Sequence, residues 1–360
     1  MKLTIVYIHY HTEQLLGSSI ESVLASQFKQ DVELEFIVVD NGSKGPLEDY
    51  IPDCEYKLLS PGTNLGYAGG INLALSHSQG GYYCVLNPDV FVEPECLARL
   101  LNEALSRKAI VGPRMFIDSS RRMILPCTEE RSRYAEFMRV IGTRSKYLLR
   151  LARKRWREHQ APFRTAKAPM ASYDLSGAAM LFSRDIYHTV GPFDERFRLY
   201  FEESDWLRRA KKSGVKAYHI PSAVAVHLYN QSASSQEHAS RWMRESAQLF
   251  STLHYGAIFQ KIMAFFTAPP LNTESLLSES HDIGEINLSD ISAHHFPLWL
   301  ELVSFPQGYP GIVESIGISD QHLWRFSTEV WDSLATGTYI LQIVSNSGKE
   351  LKRMKIFKER

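Results

Sequence analysis

Apolar positions along the first 90 residues switch repeatedly between two spacings. Leu3–Ile8 is a short β-branched run and predicts a strand, whereas Leu15–Ser26 repeats at helical spacing. Glu35–Val39 predicts a second buried strand, ending in the polar turn Asp40-Asn41-Gly42-Ser43. Tyr56–Leu59 predicts a third. After it, the glycine-rich segment Asn64-Leu65-Gly66-Tyr67-Ala68-Gly69-Gly70-Ile71-Asn72 opens a helix that runs to about Ser78. A fourth strand, Tyr82–Leu86, stops at Asn87-Pro88-Asp89. Strands alternating with helices across short loops predict an α/β domain on a parallel, Rossmann-like sheet. Ligands of such sheets lie beyond the carboxyl ends of the strands, where Asp40 and Asp89 both fall.

The pattern then changes. Residues 131–167 carry twelve Lys/Arg against two acids, Glu136 and Glu158, and Lys146–Arg157 sets Tyr147, Leu148, Leu151 and Trp156 among six basic side chains. A second αβ-like block runs from Ser172 to about Ser235, and residues 240–268 repeat at helical spacing. Pro269-Pro270 and a Ser/Glu-rich stretch mark a boundary. Beyond it Phe296–Val303, Trp324–Ser327, Tyr339–Val344 and Leu351–Phe357 read as short strands separated by turns such as Ala335-Thr336-Gly337. The expected organisation is an α/β domain over 1–235, a helical extension over 236–270 and a small β-sandwich-like domain over 271–360.

Composition narrows the classes. With 40 basic and 40 acidic residues the net charge is zero, which removes any global electrostatic case for a nucleic-acid partner. Cys54, Cys84, Cys96 and Cys127 are too widely spaced for a zinc or redox motif and read as reduced thiols. No apolar run reaches the roughly 18 residues of a spanning helix; Tyr255–Ala268 comes nearest and contains Gln260 and Lys261. The first residues enter a strand with no secretory pattern. The expected location is cytoplasmic, free or resting on the inner face of a membrane.

Several segments carry chemistry, each with a plainer reading beside it. Asp40 can accept a hydrogen bond from a base or ribose, or simply form a turn. The glycines of Asn64–Asn72 let phosphate approach a helix end, although neither the G-x-G-x-x-G nor the P-loop pattern is present, and a tight turn explains them equally. Asp89, held rigid by Pro88, suits Mg²⁺ or Mn²⁺ with diphosphate oxygens, or merely ends a strand. Glu202, Glu203 and Asp205 open a helix that finishes in Arg208-Arg209-Ala210-Lys211-Lys212; they offer a general base or complement the helix dipole. His227 follows the apolar run Ala223–Val226 and is either a structural histidine or a metal ligand.

Taken in order, IVYIHYHTEQLL, IVVDNGS, NLGYAGGINLAL, VLNPDV and LSGAAMLFSRDIYHTVGPFDERFRLYFEESDWLRRAKKSGVKAYHIPSAVAVHLYNQS resemble the family-2 glycosyltransferases of the GT-A fold, within their rhamnosyltransferase-like and galactofuranosyltransferase-like branch. The resemblance spans about residues 1–235. It implies that Tyr10 and Asp40 contact the donor nucleotide, and that Asn64, Gly69, Gly70, Asn72 and Asn87 lie along nucleotide and diphosphate. It implies Asp89 and His227 as the Mg²⁺ or Mn²⁺ ligands and Glu203 as the inverting base, with Glu202 and Asp205 as supporting acids. Asn87 replaces the first acid of the family's D-x-D motif, and Glu203 stands where aspartate is more usual.

The implied reaction moves a sugar from a nucleotide-sugar donor to a glycan or lipid-linked glycan acceptor in cell-surface polysaccharide synthesis. A non-catalytic nucleotide-sugar or glycan-binding module is one alternative. A polyprenyl-phosphate sugar synthase is another, although such synthases often add spanning helices. Residues 131–167 read either as a solvated face of a mobile acceptor loop or as a basic surface meeting anionic lipid. The C-terminal strands read as a structural or dimerising appendage, the latter making a homo-oligomer, or as a glycan-binding module using Trp299, Trp324 and Trp331; core positions are the default for these tryptophans.

Overall fold

The computed structural model describes residues 1–43, 45–128, 131–142, 144–228, 239–266, 279–280, 286–304, 311–317, 323–334 and 336–358. The Pro269-Pro270 boundary and the last residues of the Ser172–Ser235 block lie outside them. Two compact units result, Met1–Met115 with Ala166–Gln260, and Phe116–Thr165 with Lys261–Arg360.

The first unit begins with β1 (Lys2–His9), α1 (Glu13–Leu24), β2 (Glu33–Asp40), β3 (Tyr56–Leu59), α2 (Gly66–Ser76), β4 (Tyr82–Leu86), β5 (Val90–Val92), α3 (Cys96–Arg107) and β6 (Ile110–Phe116). The chain leaves through α4 (Arg133–Gly142) and α5 (Lys146–Thr165), which belong to the second unit. It returns as β7 (Met170–Ala171), β8 (Ala179–Ser183), α6 (Arg184–Val190), α7 (Glu202–Lys212), β9 (Ala217–His227) and α8 (Ala239–His254). Helix α9 (Ala257–Phe266) crosses the division.

The sheet runs β3-β2-β1-β4-β8-β6-β9-β5, with β7 on β9. The expected parallel pairing holds for β3, β2, β1 and β4. Beyond β4, outside the first 90 residues from which the parallel pairing was read, the pairs β4–β8, β8–β6, β5–β9 and β7–β9 are antiparallel. In the register, β8 starts with Ala179 opposite Leu86, the last residue of β4, so it runs back from the carboxyl edge.

Both faces of the parallel strands are covered, which is why their sequences read as unbroken apolar runs. Leu3, Ile5 and Tyr7 pack with Leu16 and Ile20 of α1 and Leu97 and Leu100 of α3. Val6 and Ile8 point the other way, to Ala68 and Ile71 of α2 and Trp206 and Leu207 of α7. Each fully buried large side chain contributes about 1.5–3 kcal/mol. The mixed α/β sheet expected of the resemblance is present.

The second unit holds β10 (Glu279–Ser280), β11 (Ile286–Asn287), β12 (Leu298–Val303), β13 (Ile312–Ile316), β14 (Leu323–Trp324), α10 (Thr328–Ser333), β15 (Gly337–Val344) and β16 (Glu350–Lys358). They form a five-stranded sheet, β10-β16-β15-β12-β13, and a ribbon of β11 with β14. Helix α5 lies against that sheet. Arg157 donates to Glu301 on β12 (3.0 Å) and Gln342 on β15 (2.9 Å), and Arg164 donates to Glu301 (3.1 Å).

These contacts correct the solvated-face reading of residues 131–167 for three of its basic side chains. Arg153, Arg157 and Arg164 are buried beside Leu149, Ala152, Trp156 and Phe163, because the carboxylates that neutralise them arrive on strands far downstream. The tryptophans make internal contacts. Trp324 is buried, the Arg164 guanidinium lies over Trp299, and Lys358 lies over Trp331.

Candidate active site

The carboxyl edge of the sheet collects most of the singled-out residues. His9 and Asp40 end β1 and β2 in register, and the Asn87 N–H donates to the Ala178 carbonyl (2.8 Å), just before β8. Asp40 accepts from the N–H groups of Gly42 (3.0 Å) and Ser43 (2.8 Å) and from the Ser43 hydroxyl (2.5 Å). Burial opposes its ionisation, but these hydrogen bonds prevail and hold the carboxyl below the ordinary aspartate range. Asp40 is therefore a turn former and a charged acceptor at once. Tyr10 closes over the same turn, its Cε2 standing 3.3 Å from where a Cβ on Gly42 would be.

Asn41, which the sequence reading passed over, ties this turn to the glycine-rich segment. Its Nδ2 donates to the Gly66 carbonyl (3.0 Å), and its Oδ1 accepts from the Leu65 N–H (3.2 Å). Asn64 accepts from the Gly66 N–H (2.8 Å), and the Tyr67 N–H donates to the Arg198 carbonyl (3.0 Å). Three successive N–H groups at the start of α2 thus have protein acceptors, which closes much of the helix end expected to receive phosphate.

Gly69, Gly70 and Asn72 also serve packing. A Cβ on Gly70 would lie 2.8 Å from Ile8 Cγ2, and one on Gly69 would lie 3.0 Å from Leu65 Cβ. The Asn72 amide donates to the Phe193 carbonyl and Glu195 (2.9 Å each) and accepts from the Phe193 N–H (2.9 Å) and the Tyr187 hydroxyl (3.1 Å). All four of its hydrogen-bonding positions are filled, which corrects the expectation that it faces the donor.

Asp89 and His227 are brought together. Strands β5 and β9 pair antiparallel with Val90 opposite His227, and His227 Nε2 stands 3.3 Å from Asp89 Oδ1. Both side chains are buried. Among the described residues no group of three or more His, Cys, Asp or Glu side chains forms a metal cage. One hard oxygen and one imidazole nitrogen still fit a cation that takes its remaining ligands from diphosphate and water.

The acidic helix α7 enters the site through an unusual turn. Tyr200 (φ 66°) and Phe201 (φ 73°) are both left-handed, a conformation bulky side chains rarely adopt and one that marks functional turns. The following Glu202 is buried and Glu203 half-buried. Glu203 rests on Gly177, where a Cβ would stand 3.1 Å from Glu203 Cβ and 3.3 Å from its Cγ.

Tyr67, quoted in the glycine-rich segment but given no role of its own there, joins the Gly177 backbone beside Glu203 to Asn87. Its hydroxyl lies 2.9 Å from the Gly177 carbonyl and 2.6 Å from Asn87 Oδ1, and its one proton serves both acceptors. Burial first, then the charges of Glu202, Glu203 and Asp89, push its ionisation far above the ordinary tyrosine range, so it stays protonated as a donor. One hydroxyl thus meets Asn87 and the Gly177 backbone on which Glu203 rests, within the electrostatic reach of Glu202, Glu203 and Asp89.

Asp205 is not part of that group. It accepts from Arg209 (2.8 Å) and pairs with His254 of α8 at 2.7 Å, so it anchors α7. Helix α8 holds the same region further through Ser246, whose hydroxyl donates to the Leu199 carbonyl (3.0 Å), and Phe250, packed on Phe201. Helix α8, the first part of the expected helical extension, is therefore built into the first unit.

The model of glycosyl transferase family 2 matches residues 4–191, just over half of the chain. The chain is 24 % identical over 231 residues to a low-salt glycan biosynthesis hexosyltransferase of Haloferax volcanii, covering 62 % of this chain and 66 % of that protein, just under two thirds of its length. It is 25 % identical over 236 residues to an N-acetylglucosaminyl-diphospho-decaprenol L-rhamnosyltransferase of Mycobacterium tuberculosis, covering 59 % and 72 % of the two. Among solved structures, S. aureus TarS 1-349 in complex with UDP-GlcNAc is similar with a TM-score of 0.45 and 15 % identity, over 74 % of this chain and 71 % of that one. The family match stops before Glu203 and His227, whose placement rests on the geometry above. From its first strand through the carboxyl-edge loops that carry Asp40, Asn87 and Asp89, the chain belongs to glycosyl transferase family 2.

Proposed function

We propose that this protein transfers a hexosyl or rhamnosyl group from a nucleotide-diphosphate donor to a hydroxyl of a glycan or lipid-linked glycan, with inversion, in cell-surface polysaccharide synthesis. The observation that carries the reading is the Asp89–His227 pair at the carboxyl edge together with Glu203 packed on Gly177, whose carbonyl shares the Tyr67 hydroxyl with Asn87. A base and a metal-holding pair then lie on one carboxyl edge.

In this reading Glu203 takes the acceptor hydroxyl proton while that oxygen bonds to the anomeric carbon. The bond from that carbon to the diphosphate oxygen breaks, and its electron pair leaves with the diphosphate. A Mg²⁺ or Mn²⁺ ion held by Asp89 and His227 supplies positive charge opposite the leaving group. Asp40, kept ionised by its turn, accepts from base or ribose beside the Tyr10 ring. Tyr67 keeps Asn87 and the Gly177 backbone in place.

Glu203→Gln preserves shape and removes the base. Transfer should fall about a hundred- to ten-thousandfold while donor affinity stays unchanged in calorimetry. Wild-type turnover in that variant, or retention at the anomeric carbon in the NMR spectrum of the product, would overturn the reading.

A further inference from the structure

Helix α9 buries none of its side chains, although its sequence is AIFQKIMAFF. Ile258, Ile262 and Phe265 recur at i, i+4 and i+7 and so share one face; they are 79, 46 and 83 % exposed. Lys261 lies on that face too, and the helix contains no acid. A ten-residue helix gains little stability by itself, so an apolar face left in water calls for a covering surface.

The end of this helix is fixed to the α4–α5 corner. Arg144 donates to the Phe266 carbonyl (2.7 Å), and Phe137 meets the Phe266 ring edge-on with centroids 6.0 Å apart. Helix α5 begins two residues after Arg144, and its outward stripe holds Lys146, Tyr147, Arg150, Leu151 and Lys154, with Tyr147 69 % exposed. The acids of α4 and α5, Glu136 and Glu158, sit against Arg139 and Lys154 of their own helices. Apolar and cationic side chains therefore share this corner with no opposing excess of acid.

We propose that α9 and the outward stripe of α5 form a docking surface for an anionic lipid bilayer. Ile262 and Phe265 enter the headgroup–acyl boundary, Tyr147 sits at the interface, and Lys146, Arg150 and Lys261 meet the headgroups. A second copy of the chain is the weaker occupant, because a symmetric contact sets this basic stripe against itself. Among the described residues no helix is long and apolar enough to cross a membrane, so the contact is peripheral. The proposal is independent of the transfer reaction.

Co-sedimentation of the full chain with vesicles tests it. Vesicles of phosphatidylcholine with added phosphatidylglycerol should bind at least about tenfold more tightly than phosphatidylcholine alone, and salt should weaken the binding. The double variant Ile262→Glu/Phe265→Glu should lose about tenfold or more, and Lys146→Glu/Arg150→Glu should lose the preference for anionic lipid. An unchanged thermal shift on adding nucleotide-sugar shows that each variant is folded and keeps failure here separate from failure of the transfer reading. Equal binding to both vesicles overturns the proposal, as does binding indifferent to both variants. A dimer in sedimentation velocity that Phe265→Glu dissociates, without vesicle binding, overturns it in favour of self-association.

Discussion

His227 Nε2 stands 3.3 Å from Asp89 Oδ1 because the antiparallel β5–β9 pair sets Val90 opposite His227. Two residues 138 positions apart thus become one side-chain pair through strand register alone (227 − 89 = 138). Chelation should abolish transfer, and added Mn²⁺ or Mg²⁺ should restore it. His227→Ala should raise the metal concentration needed for half-maximal rate about ten- to a hundredfold. Metal titration of the initial rate checks both, and full activity in excess chelator would exclude a metal role for the pair.

The Glu203–Gly177 contact yields a second prediction. A methyl on Gly177 would stand 3.1 Å from Glu203 Cβ, so Gly177→Ala must displace the carboxylate or its backbone. We expect kcat to fall about tenfold or more while donor affinity holds, since a misplaced base harms the reacting geometry before it harms binding. Steady-state kinetics with calorimetric donor titration reads the split. A proportional loss in both would mean that Gly177 shapes the donor pocket instead.

Tyr67→Phe removes the hydroxyl that bridges the Gly177 carbonyl and Asn87 Oδ1. Two half-buried acceptors lose the one proton they share, which should cost about 1 kcal/mol of stability. Chemical denaturation measures the stability loss. The same variant should weaken donor binding through the loosened Asn87, visible as a smaller thermal shift with nucleotide-sugar.

The strands β1 to β4 were legible because burial on both faces writes continuous apolar runs, and their polar ends pointed to Asp40 and Asp89. Tyr67 and Gly177 were not legible. Their hydroxyl–carbonyl contact joins positions 110 apart, and a glycine whose missing side chain makes room for Glu203 leaves no local pattern. Asn72 misled in the opposite direction, since it lies in a ligand-binding motif but uses its whole amide to hold Phe193, Tyr187 and Glu195. Arg157 looked solvated for a similar reason, because its neutralising partner Glu301 is 144 residues away.

Gly70 supports α2 against the sheet. Gly70→Ala would place a methyl 2.8 Å from Ile8 Cγ2 and 3.0 Å from its Cδ1, a close approach in a packed core. The single variant should lose about 1–3 kcal/mol. In an Ile8→Ala background the same change should be nearly neutral, because both clashing carbons are gone. A double-mutant cycle by urea denaturation gives the coupling directly. An additive result would show that α2 shifts to accommodate the methyl, and that Gly70 is not the reason the helix lies where it does.

The Asp205 anchor predicts a pH signature. Burial raises its pKa, but the hydrogen bonds from His254 and Arg209 outweigh burial and leave it below the ordinary value. A depressed carboxyl pKa contributes stability that is complete above the unfolded-state value of about 3.9 and is lost as pH falls through the folded-state value. Asp205→Asn should therefore be less stable than the parent by about 3 kcal/mol at neutral pH, since it leaves Arg209 and His254 without their charged partner. The gap should persist down to about pH 4 and close only below it. Paired melting curves across that window test the sign. Because Asp205 holds α7 to α8, the variant should also lower turnover by letting Glu203 drift from Gly177, even at pH values where the protein is fully folded. A stability gap without any kinetic effect would show that the Tyr200–Phe201 turn alone is enough to aim the base.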